Sequence, residues 1–175
     1  HDILFLSLES SGARIPKVKH ILIKPKGDSF FKDINIPFAV QGWSKKFDVS
    51  QYFLSAYRKL LDQGFYPDYV IAHAGWGAGF LVKTVFPKAK LASYCEWWFR
   101  WESDDASFDV NSPYMPVIND MSREREQLVN MFQAAELADA DYCWSPTHYQ
   151  KSQYPLQLQK SIHVIHEGVH ISPKI

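Results

Sequence analysis

Tyr69-Val70-Ile71-Ala72-His73-Ala74-Gly75-Trp76-Gly77-Ala78-Gly79 is the stretch on which the fold turns. Its first five residues are a continuous run of strand length, the pattern of a strand covered on both faces of its sheet. The run passes directly into three closely spaced glycines and a short helix through Val85, which Pro87 stops. Strand, glycine turn and helix in that order make one half of a βαβ unit.

The same alternation extends in both directions. Downstream, Lys90–Cys95, Asp141–Trp144 and Ser161–Ile165 read as strands. Upstream, Asp2–Leu8 and Val18–Ile23 do so too, with Pro25-Lys26-Gly27 closing the second. A helix is expected to start near Ser50, because Tyr52, Phe53, Ala56, Tyr57, Leu60 and Leu61 recur at three and four residues; Gly64 ends it. The longest helix is expected from Ile118 to Ala140, with Leu128, Phe132, Ala135 and Leu137 as its apolar stripe. Ser145-Pro146-Thr147 reads as another helix start, with Pro at the first helical position. Strands and helices alternating in this way predict an α/β domain: Rossmann-like, three-layered, with a mostly parallel sheet. In such sheets ligands bind beyond the carboxyl ends of the strands. The places to look are therefore His73 to Gly79, Glu96 to Glu102, Ser145 to Thr147 and His166 to Gly168.

Composition narrows the classes. The 175 residues are about the size of one domain, and a hydrophobic fraction of 46% excludes disorder. Lys plus Arg and Asp plus Glu are both 19, so the chain lacks the charge excess of a nucleic-acid-binding face. Cys95 and Cys143 sit in apolar runs without metal-ligand spacing and read as buried free thiols of a reducing cytosol. No apolar run approaches the ~20 residues of a transmembrane helix. Six Trp, nine Tyr and twelve Phe exceed the needs of one core, so some rings are expected to line a cleft or an interface.

Glu96-Trp97-Trp98-Phe99-Arg100-Trp101-Glu102 has the composition of a sugar site. Rings stack on the apolar faces of a pyranose, while carboxylates and Arg bond its hydroxyls directionally. The competing reading places these Trp residues in a core, with Arg100 paired to Glu96 or Glu102. Gly75 and Gly77 free backbone N–H groups to approach an oxygen-rich ligand. The competing reading there is a tight turn that needs small residues. His73 ends a buried strand, and Trp76 rides on the turn. Thr147 reads either as a helix cap or as a cleft hydroxyl, and Glu167 as a cleft carboxylate or a solvated turn. No His, Cys, Asp and Glu set has zinc spacing, so no metal site is expected. No residue is assigned to the reacting centre.

These segments, taken in order, resemble the N-terminal domain of the bacterial glycosyltransferase family 4 group. The parallels are His73-x-Gly75-Trp76-Gly77, Phe80-Leu81-x-Lys83-x-Val85-Phe86-Pro87, Tyr94-x-Glu96, Arg100-x-Glu102, Phe108-Asp109, Ala138-Asp139, Ser145-Pro146-Thr147-x-x-Gln150 and Val164-Ile165-His166-x-Gly168-Val169. They run from about Pro67 to the end, and the match is loose before Tyr52. The resemblance implies two Rossmann-like domains facing across a cleft, the GT-B arrangement, with the acceptor held mainly by this domain and the nucleotide-sugar by the other. It also implies a cytoplasmic, metal-independent, retaining enzyme of polysaccharide biosynthesis that needs no cofactor beyond its nucleotide-sugar substrate. His73, Gly75, Trp76, Gly77, Glu96, Arg100, Glu102, Thr147 and Glu167 are then expected to line the acceptor side of the cleft.

Two segments depart from the family pattern. Glu96 stands near the end of a strand where many members carry His, and Glu167-Gly168-Val169-His170 replaces the usual Asn-Gly-Val-Asp. The chain is expected to lack the donor domain, and its first strand and helix, and to be inactive alone. In that case Asp2–Leu8 and Tyr69–His73 would flank a missing central strand. Direct pairing of the two is the preferred expectation, and a homo-oligomer contact the second. Two other functions fit the same residues: a nucleotide-sugar epimerase of the same two-domain arrangement, and a non-enzymatic sugar-binding module.

Overall fold

The computed structural model describes residues 2–9, 15–25, 27–100, 109, 113 and 119–168. Along them run β1 (Ile3–Ser7), β2 (Val18–Leu22), α1 (Phe38–Asp62), β3 (Tyr69–His73), α2 (Val82–Val85), β4 (Lys90–Tyr94), α3 (Asp120–Asp139), β5 (Tyr142–Ser145), α4 (His148–Gln153), α5 (Leu156–Gln159) and β6 (Ile162–Val164). Every described strand pair is parallel: β3-β4-β5-β6 form one sheet, and β1-β2 a second. This is the α/β, Rossmann-like pattern expected from the sequence.

The preferred closure is not made. β1 pairs only with β2, and β3 only with β4, so each keeps an open edge among the described residues. Both strands nevertheless belong to one core: Leu4 and Leu6 pack against the same cluster that holds Ala72, Leu91, Phe53, Tyr57 and Val82. The coverage of β3 on both faces expected from its continuous run is not seen among the described residues, and only one face is covered. Val70 and Ala72 point to that core, while Tyr69 and Ile71 on the opposite face are 68% and 73% exposed. No described helix covers that second face, and none is long and apolar enough to cross a membrane.

α1 begins twelve residues before the start expected near Ser50. Polar residues hid its first turns, and the structure shows where they go. Ser44 and Ser50 donate back to the carbonyls of Gln41 and Phe47, and buried Asp48 accepts from the N–H of Phe30 at 3.1 Å. Gly42 permits the close crossing of α1 and α3, since a Cβ there would stand 2.9 Å from Val129 Cγ2. The far end behaves as expected. Gly64 takes φ +77°, and Gly64 and Phe65 donate to Leu61 and Leu60 in a Schellman cap. α3 matches its expected span, but its buried side is largely polar. Asn130, Gln133 and Glu136 are buried beside Phe132 and Leu137, whereas Ala135 faces out. Cys95 and Cys143 are buried free thiols, as read from the sequence.

Much of the aromatic excess packs between helices. Trp43 stacks on Phe47 with centroids 5.6 Å apart, Phe31 meets both edge-on, and Trp43 and Phe80 each contact Phe132.

Candidate functional site

The turn that follows β3 is built by its glycines and by two side chains reaching in from the helices. Gly75 and Gly77 take φ +78° and +91°, the left-handed region that glycine enters without penalty. Gly77 also meets α1 too closely for a side chain, because a Cβ would lie 2.6 Å from the carbonyl oxygen of Lys46. From α1, Lys46 donates to the carbonyl of Gly75 and lies 5.4 Å from the centre of the Trp76 ring. From α3, Glu136 accepts from the N–H of Gly75 at 3.2 Å and from the hydroxyl of Ser93 at 3.3 Å. Burial raises the Glu136 carboxyl to about 7, against the opposing pull of the Gly75 N–H, Ser93 and Lys46. Burial likewise lowers Lys46 to about 8, with the Glu136 charge acting the other way. The turn leaves Trp76 61% exposed at the open end of the sheet.

Beside it, the carboxyl ends of β3, β4 and β6 bring together His73, Tyr94, Glu96 and Glu167. His73 Nε2 lies 2.7 Å from a Glu96 oxygen, and Nδ1 lies 3.3 Å from the Ala74 carbonyl, so each ring nitrogen faces an oxygen. The His73 ring meets Tyr94 and Trp76 edge-on, at 5.1 and 5.8 Å between centroids. Tyr94 donates its hydroxyl to Glu167. Burial and the Glu167 carboxylate both push that phenol upward, so it stays a donor at neutral pH. The His73 and Glu96 side chains are 37% and 50% exposed, which leaves both reachable by a ligand hydroxyl. An imidazole and a carboxylate bonded to each other beside an exposed indole can orient hydroxyls at the edge of a stacked sugar ring.

The other expected site residues divide. Trp98 is buried against Tyr154, at 5.4 Å between centroids, and fills the second core cluster; for it the core reading holds. Trp97 is half-buried beside Tyr149. Arg100 is exposed and follows Phe99, whose N–H and carbonyl are both held by Asn130. Glu102, with Trp101, lies outside the described residues. Thr147 is the N-cap of α4: its hydroxyl accepts from the Gln150 N–H at 3.1 Å and donates to Gln150 Oε1 at 2.7 Å. Pro146 therefore precedes the cap and does not take the first helical position. Among the described residues no three His, Cys, Asp or Glu side chains are grouped as a metal site needs.

Sequence reasoning missed Lys46, Tyr94 and Glu136 as contributors. Tyr94 had a signal, a hydroxyl at a strand's carboxyl end beside Glu96. Glu136 had a weaker one, a carboxylate between Ala135 and Leu137 where the helix turns to the core. Lys46 had none, because nothing local shows which loop a lysine in a misplaced helix will reach.

No curated protein sequence matches the chain. A profile of the glycosyl transferase family 4 group matches residues 1–173, and so extends the resemblance back through β1, β2 and α1, where the motifs alone were loose. With nearly the whole chain covered and parallel strands alternating with helices, this protein belongs to the glycosyl transferase family 4 group and is a glycosyltransferase domain.

Proposed function

We propose that this chain is the acceptor-side domain of a two-domain glycosyltransferase that moves a sugar from a nucleotide-sugar to a saccharide or polysaccharide precursor in the cytoplasm. The observation that carries the reading is the solvent-open His73–Glu96 pair beside exposed Trp76, at the carboxyl edge of a parallel sheet. In the reaction, an acceptor hydroxyl forms a bond to the anomeric carbon as the bond from that carbon to the nucleotide's phosphate oxygen breaks, and the hydroxyl proton leaves with the departing phosphate. The indole of Trp76 stacks on the acceptor ring, and His73 and Glu96 hold its hydroxyls for attack. Leaving-group charge is stabilised by positioned donors of the facing domain, without a metal, as the family resemblance implies.

Glu96→Gln in the enzyme assembled with its donor-side domain tests this. Glu96 is exposed and adds little to the core, so the melting temperature should be unchanged. A hydrogen bond to a charged group is worth roughly 1.5–3 kcal/mol, so turnover should fall about ten- to a hundredfold where the bond matters only in the transition state. Wild-type kinetics would remove Glu96 from the acceptor site. Product analysis separates the alternatives: a donor epimerised without any acceptor is the mark of an epimerase.

A further inference from the structure

Gly75 is held at both of its backbone groups by side chains from different helices, its N–H by Glu136 on α3 and its carbonyl by Lys46 on α1. Glu136 is fully buried, and its carboxylate fills the space left by a missing side chain: a Cβ on Gly79 would stand 2.1 Å from Oε1. Lys46 joins this clamp to the cleft, because the ammonium that binds Gly75 also lies over the Trp76 ring. A cation over an indole is attracted to the ring face, and the attraction grows as solvent is excluded.

We propose that Glu136 and Lys46 are positioning residues that set the orientation of Trp76 in the acceptor cleft, and that the charge on Glu136 changes that orientation. When Glu136 is ionised it draws the ammonium inward and strengthens its bond from Gly75. When it is neutral, Lys46 is held by the Gly75 carbonyl and the indole alone. The site thus loses or gains its preferred ring pose across neutral pH, since the two groups stand near 7 and near 8. The groups facing Glu136 from the surrounding elements are Lys46 and Tyr57 of α1, the Gly75 N–H, Ser93 of β4, and the thiols of Cys95 and Cys143. Burial keeps Tyr57 protonated well above this range. His73 faces Trp76 from the cleft side, so the test must separate it.

The significance for sugar binding rests on the acceptor reading; the test does not. In the folded chain, the Trp76 indole N–H resonance is identified by its loss in Trp76→Phe and followed from pH 5 to 9. A midpoint near 7 is expected in wild type and in His73→Gln, and a flat response in Glu136→Gln. Lys46→Met should flatten the response as well, because the ammonium that links the carboxylate to the indole is gone. Stability gives a second readout. A folded value raised from 4.5 to about 7 means the folded protein keeps a proton that the unfolded chain has lost, so stability falls as pH rises through that interval. That fall should be absent in Glu136→Gln. A Trp76 titration that survives Glu136→Gln or Lys46→Met, or one lost only in His73→Gln, would overturn the proposal. A titration that follows Glu136 in a chain that binds no saccharide upholds it and removes the acceptor reading instead.

Discussion

A methyl group at Gly77 would strike the carbonyl oxygen of Lys46 at 2.6 Å, on backbone at φ +91° that side chains rarely adopt. The struck atom belongs to the middle of α1 and cannot rotate away. Gly77→Ala should therefore destabilise the chain by about 1–2 kcal/mol for the left-handed backbone and by a further ~1–3 kcal/mol for the crowding. Denaturant melts of the two proteins measure the sum, and a loss below about 0.5 kcal/mol would mean that the turn relaxes freely. The contrast with Gly27, where an added Cβ meets nothing within 4 Å, shows how local this demand is. The three glycines after β3 were legible in the sequence as a turn of small residues. What they accommodate was not, because Lys46 and Glu136 lie 29 and 61 residues from Gly75 and only the tertiary fold joins them.

At the scale of elements, α3 supports the carboxyl edge of the sheet as much as the strands do. Asn130 is buried, donates to the Phe99 carbonyl at 2.8 Å and accepts from the Phe99 N–H at 3.3 Å, and so fixes the segment that leaves β4 through Glu96. Asn130→Ala would leave both backbone groups without that partner, at a cost of roughly 1–3 kcal/mol for each one kept from water. The expected result is a lower melting temperature together with faster amide exchange at Phe99. Unchanged exchange there would show that the segment holds itself. The elements legible from sequence were those with a clean period: β3, β4, and the second half of α1 with Phe53, Tyr57 and Leu60 inward. The first half of α1 was lost because its buried serines and Asp48 satisfy themselves on backbone, which no hydrophobic pattern reveals. The stripe read on α3 gave Phe132 and Leu137 correctly, yet assigned Ala135 a place that buried Glu136 takes.

Over the molecule as a whole, and among the described residues, the helices pack on one face of the strands, while β1 and β3 each present an unpaired edge and the face carrying Ile71 stays open. The expected direct pairing of those strands is not made: β1 pairs with β2 and β3 with β4, although Leu4, Leu6, Val70 and Ala72 all pack on the same core. The parallel topology, by contrast, followed from alternating strands and helices, and it makes the carboxyl ends of the strands the place for a candidate site. If this end of the sheet, around Trp76, His73 and Glu96, is the saccharide site proposed above, it binds sugar without a nucleotide. Amide and indole spectra of the 175-residue chain, titrated separately with cellobiose, lactose, chitobiose and UDP-glucose, test it most directly. Millimolar-range shifts are expected from at least one disaccharide, confined to Trp76, residues 73–79, Glu96 and Glu167, with no binding of UDP-glucose in the low micromolar range. Tight UDP-glucose binding, or disaccharide shifts that miss Trp76 and His73, would contradict it.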